Sequence, residues 1–291
     1  MWDDEVDVVC CGVGFGALAG AIVAFDAGLE VFVARPDRRA NPESPATWRE
    51  VGDRETREYF EALTADVNPN VRSGPETAIA VRALSDLTPV QPASPVEPFY
   101  GARLRDWTAQ CLASPYGLLY TRVSDRGTTP MKTGTGAQIE VKSVGALGTD
   151  GGVSLVSAVN EWLLTQASHR DIRPDGATLQ RIVFEEGEVV GAVIDRADGP
   201  LAVRARHGVA LSIGTPIEST GHDPTPADTN YLGDQGLPLQ VCLVGHSASR
   251  FCRVELLAAE PTKSLSRAAS CNSNQVREGL REASRSHARR G

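Results

Sequence analysis

The residues of this chain whose types and spacing point most directly to chemistry are Gly12-Val13-Gly14-Phe15-Gly16-Ala17. A glycine at position 12 permits a tight turn out of a strand. Glycine at 14 has no side chain, so a diphosphate can approach the backbone N–H groups at a helix N-terminus, where the helix dipole favours negative charge. The third position of the pattern, which lets helix pack closely on strand, is Ala17, and small residues continue through Ala19, Gly20 and Ala21. Val13, Phe15 and Gly16 complete the turn and supply amides to the same anion.

Such a turn works only between particular elements, and the flanking sequence supplies them. Val6-Asp7-Val8-Val9-Cys10-Cys11 is a compact apolar run that predicts a buried strand, with the two cysteines on opposite faces. Helix-forming residues follow to Ala27, Gly28 caps the helix, and Leu29 to Ala34 predicts a second strand. Strand, turn, helix and strand within about 30 residues make a βαβ mononucleotide unit. The end of the second strand is where an acid would hold ribose hydroxyls. Ala34 stands there, followed by Arg35-Pro36-Asp37. Arg35 suits the 2′-phosphate of NADP, and Asp37 reaches the ribose from a shifted register.

Asp7 to Gly14 and Ala24 to Val31 resemble the start of the fumarate reductase/succinate dehydrogenase flavoproteins, most of all the 3-ketosteroid dehydrogenase-like branch. Further segments follow in that family's order: Gly151 to Ala158, Trp162 to Leu164, Ile172 to Pro174, Leu179 to Val183, Gly187 to Val193 and Val203 to Gly214. The resemblance implies an α/β fold: a Rossmann-like FAD/NAD(P)-binding domain with a parallel sheet, and a smaller inserted α+β domain. It implies FAD as cofactor, a small-molecule substrate that is a hydrophobic or steroid-like ketone, and Gly12, Gly14 and Ala17 against the diphosphate. The family's Gly-Gly-Ser/Thr and Ser-Gly-Gly flavin loop has no counterpart in Arg38 to Gly52, and its members are longer.

In such a dehydrogenase hydride passes between substrate carbon and flavin, and a protein group exchanges the accompanying proton. The steroid branch uses tyrosines, which makes Tyr100, Tyr116 and Tyr120 the candidates here; the fumarate reductase branch uses an arginine, for which Arg122 or Arg250 would stand. Each has a plainer alternative, a packed ring or a surface ion pair. His246, in Gly245-His246-Ser247, is the histidine to mutate first, while His169 reads as the end of a helix and His222 as part of a Pro-rich loop.

The remaining elements follow from local pattern. Asp53 to Thr64 and Ala102 to Leu112 predict helices, Tyr116 to Val123 a strand, and Thr128 to Gly136 an exposed loop. Thr178 to Glu185 and Val189 to Asp195 predict a hairpin turning at Glu186-Gly187; Val209 to Ile213 and Val241 to Val244 predict strands; Phe251 to Ala259 suits strand or helix. The expected domains are a discontinuous dinucleotide-binding domain (1–40 and 150–260), an inserted cap or substrate domain (41–149) and a basic tail (261–291).

Composition bounds the alternatives. Apolar residues make up 41% of the 291, charged residues 23% and aromatics 5%, so the core rests on Val, Leu, Ile and Ala. A net charge of −8 argues against nucleic acid. Cysteines at 10, 11, 111, 242, 252 and 271 form no C-x-x-C pair, which argues against a metal site and fits reduced thiols. The acidic start and the glycines of the first apolar stretch argue against a signal or membrane segment, so a cytoplasmic protein is expected. The alternative to an enzyme is a non-catalytic, shortened flavoprotein relative that acts as a partner subunit; a protein partner subunit or a homo-oligomer is the expected assembly.

Overall fold

The computed structural model describes residues 1–36, 50–67, 79–90, 100–122, 127–148, 155–213, 239–246 and 249–259. The opening unit forms as its pattern predicts. Strand β1 (Asp4–Cys11) leads through the glycine turn into helix α1 (Phe15–Asp26), and β2 (Val31–Ala34) returns parallel to β1, pairing Val8 with Val31 and Cys11 with Ala34. Helix α1 ends at Gly28, whose φ of +81° is the left-handed conformation that glycine adopts without penalty. Every residue from Phe15 to Ala24 is buried, so α1 is a central helix, covered by the sheet on one side and by α4 (Leu155–His169) on another. The α1–α4 pair is fastened at its end by Arg170, which grips Asp26 through two hydrogen bonds of 2.7 and 2.8 Å.

The other strands are β3 (Ala80–Ala83), β4 (Leu87–Pro89), β5 (Gly117–Tyr120), β6 (Thr129–Thr133), β7 (Gln138–Leu147), β8 (Thr178–Glu185), β9 (Glu188–Arg196), β10 (Gly199–Ser212), β11 (Leu239–Gly245) and β12 (Phe251–Ala258). Helices α2 (Arg54–Thr64) and α3 (Tyr100–Ala113) complete the described elements. One sheet of 12 strands runs β2-β1-β10-β5-β12-β11-β7-β6-β4, with β3 on β12 and the hairpin β8-β9 on β10. This corrects the expected parallel sheet to a mixed one. Parallel pairing is confined to β2-β1-β10 and β3-β12, and the rest is antiparallel. Region 41–149, expected as an inserted domain, contributes β3 to β7 to this same sheet.

The hairpin turns where expected: Glu186 and Gly187 have φ of +52° and +83°, the pair of positive values that matches strand twist in a two-residue turn. Thr128 to Gly136, expected as loop, instead contributes β6, whose Thr129 and Met131 are buried against the β7 ladder. Phe251 to Ala258 resolves as strand. Cys10 and Cys11 do face opposite ways, one into the core beneath α1 and α4, the other into the core beneath α2 and α3.

The long strand β10 connects the two halves of the sheet. Its first part pairs with β9, and its last part lies between β1 and β5. On the solvent side of its start, Arg206 meets Glu5 and Asp7 at 2.9 Å each. The Glu30 backbone N–H, and then Arg206, hold the Asp7 carboxyl below the usual carboxylate range. A depressed folded-state pKa stabilises the fold above the unfolded value of about 4, and this is lost as pH falls through the folded value. Asp7→Asn should therefore flatten the acid limb of a stability-versus-pH curve below about pH 4; an acid limb identical to the wild type would refute the assignment.

Candidate functional site

The glycine turn is held from beneath by the neighbouring strand. Gly12, at φ +115°, sits so close to β10 that an added Cβ would lie 3.0 Å from the Ser212 Cβ. The Ala17 N–H donates to Ser212 Oγ at 2.8 Å, and the Ser212 hydroxyl donates to the Gly14 carbonyl at 3.0 Å. Gly14 caps α1 with φ −73° and ψ 165°, and neither its own side chain nor any acid occupies the first turn. The amides of Phe15 and Gly16 have no acceptor among the described residues. Gly16 lies against β5: a Cβ there would be 2.6 Å from the Gly117 carbonyl oxygen.

Val13, Phe15 and Ala17 are buried, and Phe15 belongs to the core around α1. The Arg35 guanidinium lies 4.5 Å over the Phe15 ring. Its positive charge stands by the first residue of α1, whose N-terminal end favours negative charge. The groups at this turn that would hold a diphosphate are the Phe15 and Gly16 amides, with the Arg35 guanidinium alongside. The ribose end is less complete: Ala34 is buried, an arginine follows it, and Asp37 lies outside the described residues.

The tyrosines and arginines expected from sequence are not gathered at this turn. Tyr100 opens α3, and its side chain lies outside the described residues. Tyr116 is buried, and its hydroxyl donates toward the Val156 carbonyl (3.2 Å) and Asn160 Oδ1 (2.8 Å), joining the start of β5 to α4. Burial pushes that phenol well above its ordinary range. Tyr120 stands at the other end of β5. Ser212 pairs with Leu118 and Ala210 with Tyr120, so Tyr120 lies two residues down the sheet from the turn. There it lines a cleft with Thr128, Glu140, Lys142, Leu243 and Cys252. Arg122 reaches Glu188 at 3.3 Å on the rim of the β8-β9 hairpin.

The phenol–guanidinium pair that the fold does assemble is Tyr59 with Arg250, whose Nη1 donates to the Tyr59 hydroxyl at 2.8 Å and to the Thr121 carbonyl at 2.7 Å. Tyr59 packs edge-on to Phe60 and Phe184. Burial raises its pKa, and the nearby Arg250 charge opposes that rise. Sequence reasoning weighed Arg250 but passed over Tyr59, since only tertiary packing brings α2 to this strand end. His246 is buried with its ring 4.9 Å from that of Trp107. The described cysteines form no disulfide among themselves and are buried; desolvation pushes the Cys10 thiol up to about 12 and those of Cys11, Cys111 and Cys242 well above their usual value, which makes these four poor nucleophiles.

Fold and turn together define an α/β protein with a mixed sheet, opened by a βαβ unit whose helix starts on a glycine turn. No family model matches the chain, and no curated protein does. Among solved structures the chain is similar to a thioredoxin reductase from Gloeobacter violaceus, at 14% identity, over 75% of this chain and 76% of that one, with a TM-score of 0.17. A likeness at that score carries no argument about activity. No described helix is long and apolar enough to cross a membrane.

Proposed function

We propose that this chain is an FAD-dependent oxidoreductase in which the turn from Gly12 to Ala17 receives the cofactor diphosphate. The observation that carries this reading is the start of α1: a glycine cap, two amides with no acceptor among the described residues and no acid in the first turn, with the Arg35 guanidinium over Phe15. Bound FAD would supply hydride transfer. The chain's own part is to orient the diphosphate through the Phe15 and Gly16 amides and to neutralise it through Arg35. A hydrophobic ketone as substrate rests on the sequence resemblance, with Tyr100, Tyr116, Tyr120 and Arg122 as proposed proton-handling groups. A cytoplasmic location, and assembly with itself or with a flavoprotein partner, are likewise proposals.

The test is a titration of the full chain with FAD, followed by quenching of flavin fluorescence. The φ and ψ of Gly14 are open to any residue, and aspartate at such a position caps a helix. Gly14→Asp should bind FAD at least about tenfold more weakly, or 1.4 kcal/mol, through repulsion of the diphosphate; because Gly14 is buried, a thermal melt of the variant accompanies the titration, and only a folded variant enters the comparison. Equal affinity in both proteins, or no quenching by the wild type, would end this reading.

A second reading is a non-catalytic relative that partners another flavoprotein chain. It is favoured by the burial of the whole stretch from Val13 to Gly16, which leaves the turn covered. A well-folded, colourless protein that co-purifies with a flavin-containing chain would support it.

A further inference from the structure

On the opposite face of the sheet from α1, two arginines are locked in place around one carboxylate. Alternate residues of β12 serve the two cores: Cys252, Val254 and Leu256 pack beneath α1, Phe251 and Leu257 beneath α3. Arg253 and Glu255 share the α3 side. Glu255 is 0% exposed; its Oε2 accepts two N–H groups from Arg82, and its Oε1 accepts the Nε–H of Arg253 and pairs with the same guanidinium's Nη2. Arg82 of β3 donates Nε and Nη2 to Oε2 at 3.1 and 3.0 Å. Arg253 approaches Oε1 with Nε at 2.9 Å and Nη2 at 2.8 Å. The Arg253 guanidinium also lies 5.2 Å over the Trp107 ring, which is fixed in turn by donating Nε1–H to the Phe251 carbonyl at 2.9 Å.

We propose that Arg82 and Arg253, tied together by Glu255, form a binding site for an oxyanion of the carboxylate or phosphate class. Two cations share one anion, which leaves a positive charge in a largely desolvated place. Each guanidinium spends its Nε–Nη2 edge on Glu255, and no acceptor among the described residues takes its Nη1. The side chains keep 26% and 15% of their surface, so those remaining donors are not sealed off. A planar guanidinium matches an oxyanion through two parallel N–H groups. Because Glu255 and Trp107 already hold both forks, little rotamer freedom is left to lose when the anion arrives. The site does not depend on whether the glycine turn holds a nucleotide.

The experiment follows the Arg Nε–H resonances of the full-length protein during titration with inorganic phosphate, with acetate, and with chloride at matched ionic strength. Arg82 and Arg253 should shift saturably with phosphate or acetate, while Arg54, an exposed partner of Glu58, should not. Saturation by phosphate alone assigns a phosphate group; saturation by both assigns the wider carboxylate class. Shifts that chloride reproduces, or that Arg54 shares, would overturn the proposal. Arg82→Gln should weaken the response of Arg253 at least about tenfold, or 1.4 kcal/mol; an undiminished response in a folded variant would overturn it too. If that variant does not fold, the wild-type titration decides alone.

Discussion

Replacing Glu255 with glutamine is expected to destabilise the protein by about 3–5 kcal/mol, the range for removing one partner of a buried ion pair. The substitution hardly changes shape. It removes the one charge among the described residues that neutralises Arg82 and Arg253 at this point, and it turns an N–H donor toward guanidinium donors where Oε1 or Oε2 had accepted. Full solvent exclusion of Glu255 means water cannot take over. Chemical denaturation of the two proteins measures the difference, and a loss below about 1 kcal/mol would show that the network relaxes freely. Replacing all three charged residues with apolar ones of similar volume should be far milder, because such exchanges of buried ion networks are often neutral or stabilising. That triple variant should fold, which separates the cost of a broken pair from the cost of burying the cluster itself.

Gly16→Ala should cost about 1–3 kcal/mol or more as an overpacking change, although alanine is the better helix former. The new methyl would meet main-chain atoms of the start of β5: the Gly117 oxygen at 2.6 Å, the Tyr116 oxygen at 2.9 Å and the Gly117 carbonyl carbon at 3.0 Å. A strand inside a sheet cannot swing aside, so α1 must lift from it and carry the Phe15 and Gly16 amides with it. FAD affinity should fall along with stability. Gly20→Ala, one turn further along the same helix, provides the control. Its nearest neighbours are Leu118 Cδ2 at 3.0 Å and the Tyr120 hydroxyl at 3.1 Å, the far ends of side chains that can turn away. That variant should stay within about 1 kcal/mol of the wild type, the helix preference for alanine offsetting the crowding. Thermal melts of both, with and without FAD, give the comparison; equal melting temperatures would refute the claim that α1 docks through Gly16.

Contacts close in sequence were legible before the fold was known. Gly12, Gly14 and Gly28 mark a turn, a cap and a helix end, each a demand of the local backbone. The apolar runs around them have the length and period of strand and helix. Glu186-Gly187 declared its hairpin for the same reason. Strand β6 was not legible, because Thr128 to Gly136 is rich in turn residues, and β7, although Ile139 and Val141 alternate with Gln138, Glu140 and Lys142, loses that alternation at Ser143. Strand β7 joins the sheet through its long ladder with β11, and β6 through its pairing with β7.

The amino-acid order by itself thus determined that a βαβ unit opens the chain and that its helix begins on bare glycine, since both follow from steric freedom and hydrophobic period within about 30 residues. Only the tertiary structure decided what surrounds that turn: Ser212, 195 residues from the Ala17 amide it accepts from, and Arg35 over Phe15. The same holds for Glu255, which in Phe251-Cys252-Arg253-Val254-Glu255 looks like the wet side of an alternating strand. It is buried because α3 and β3 close over it, and Arg82 reaches it across 173 residues. Nothing local encodes such a pairing; it exists because desolvation makes a buried carboxylate tolerable only where the fold delivers its cations.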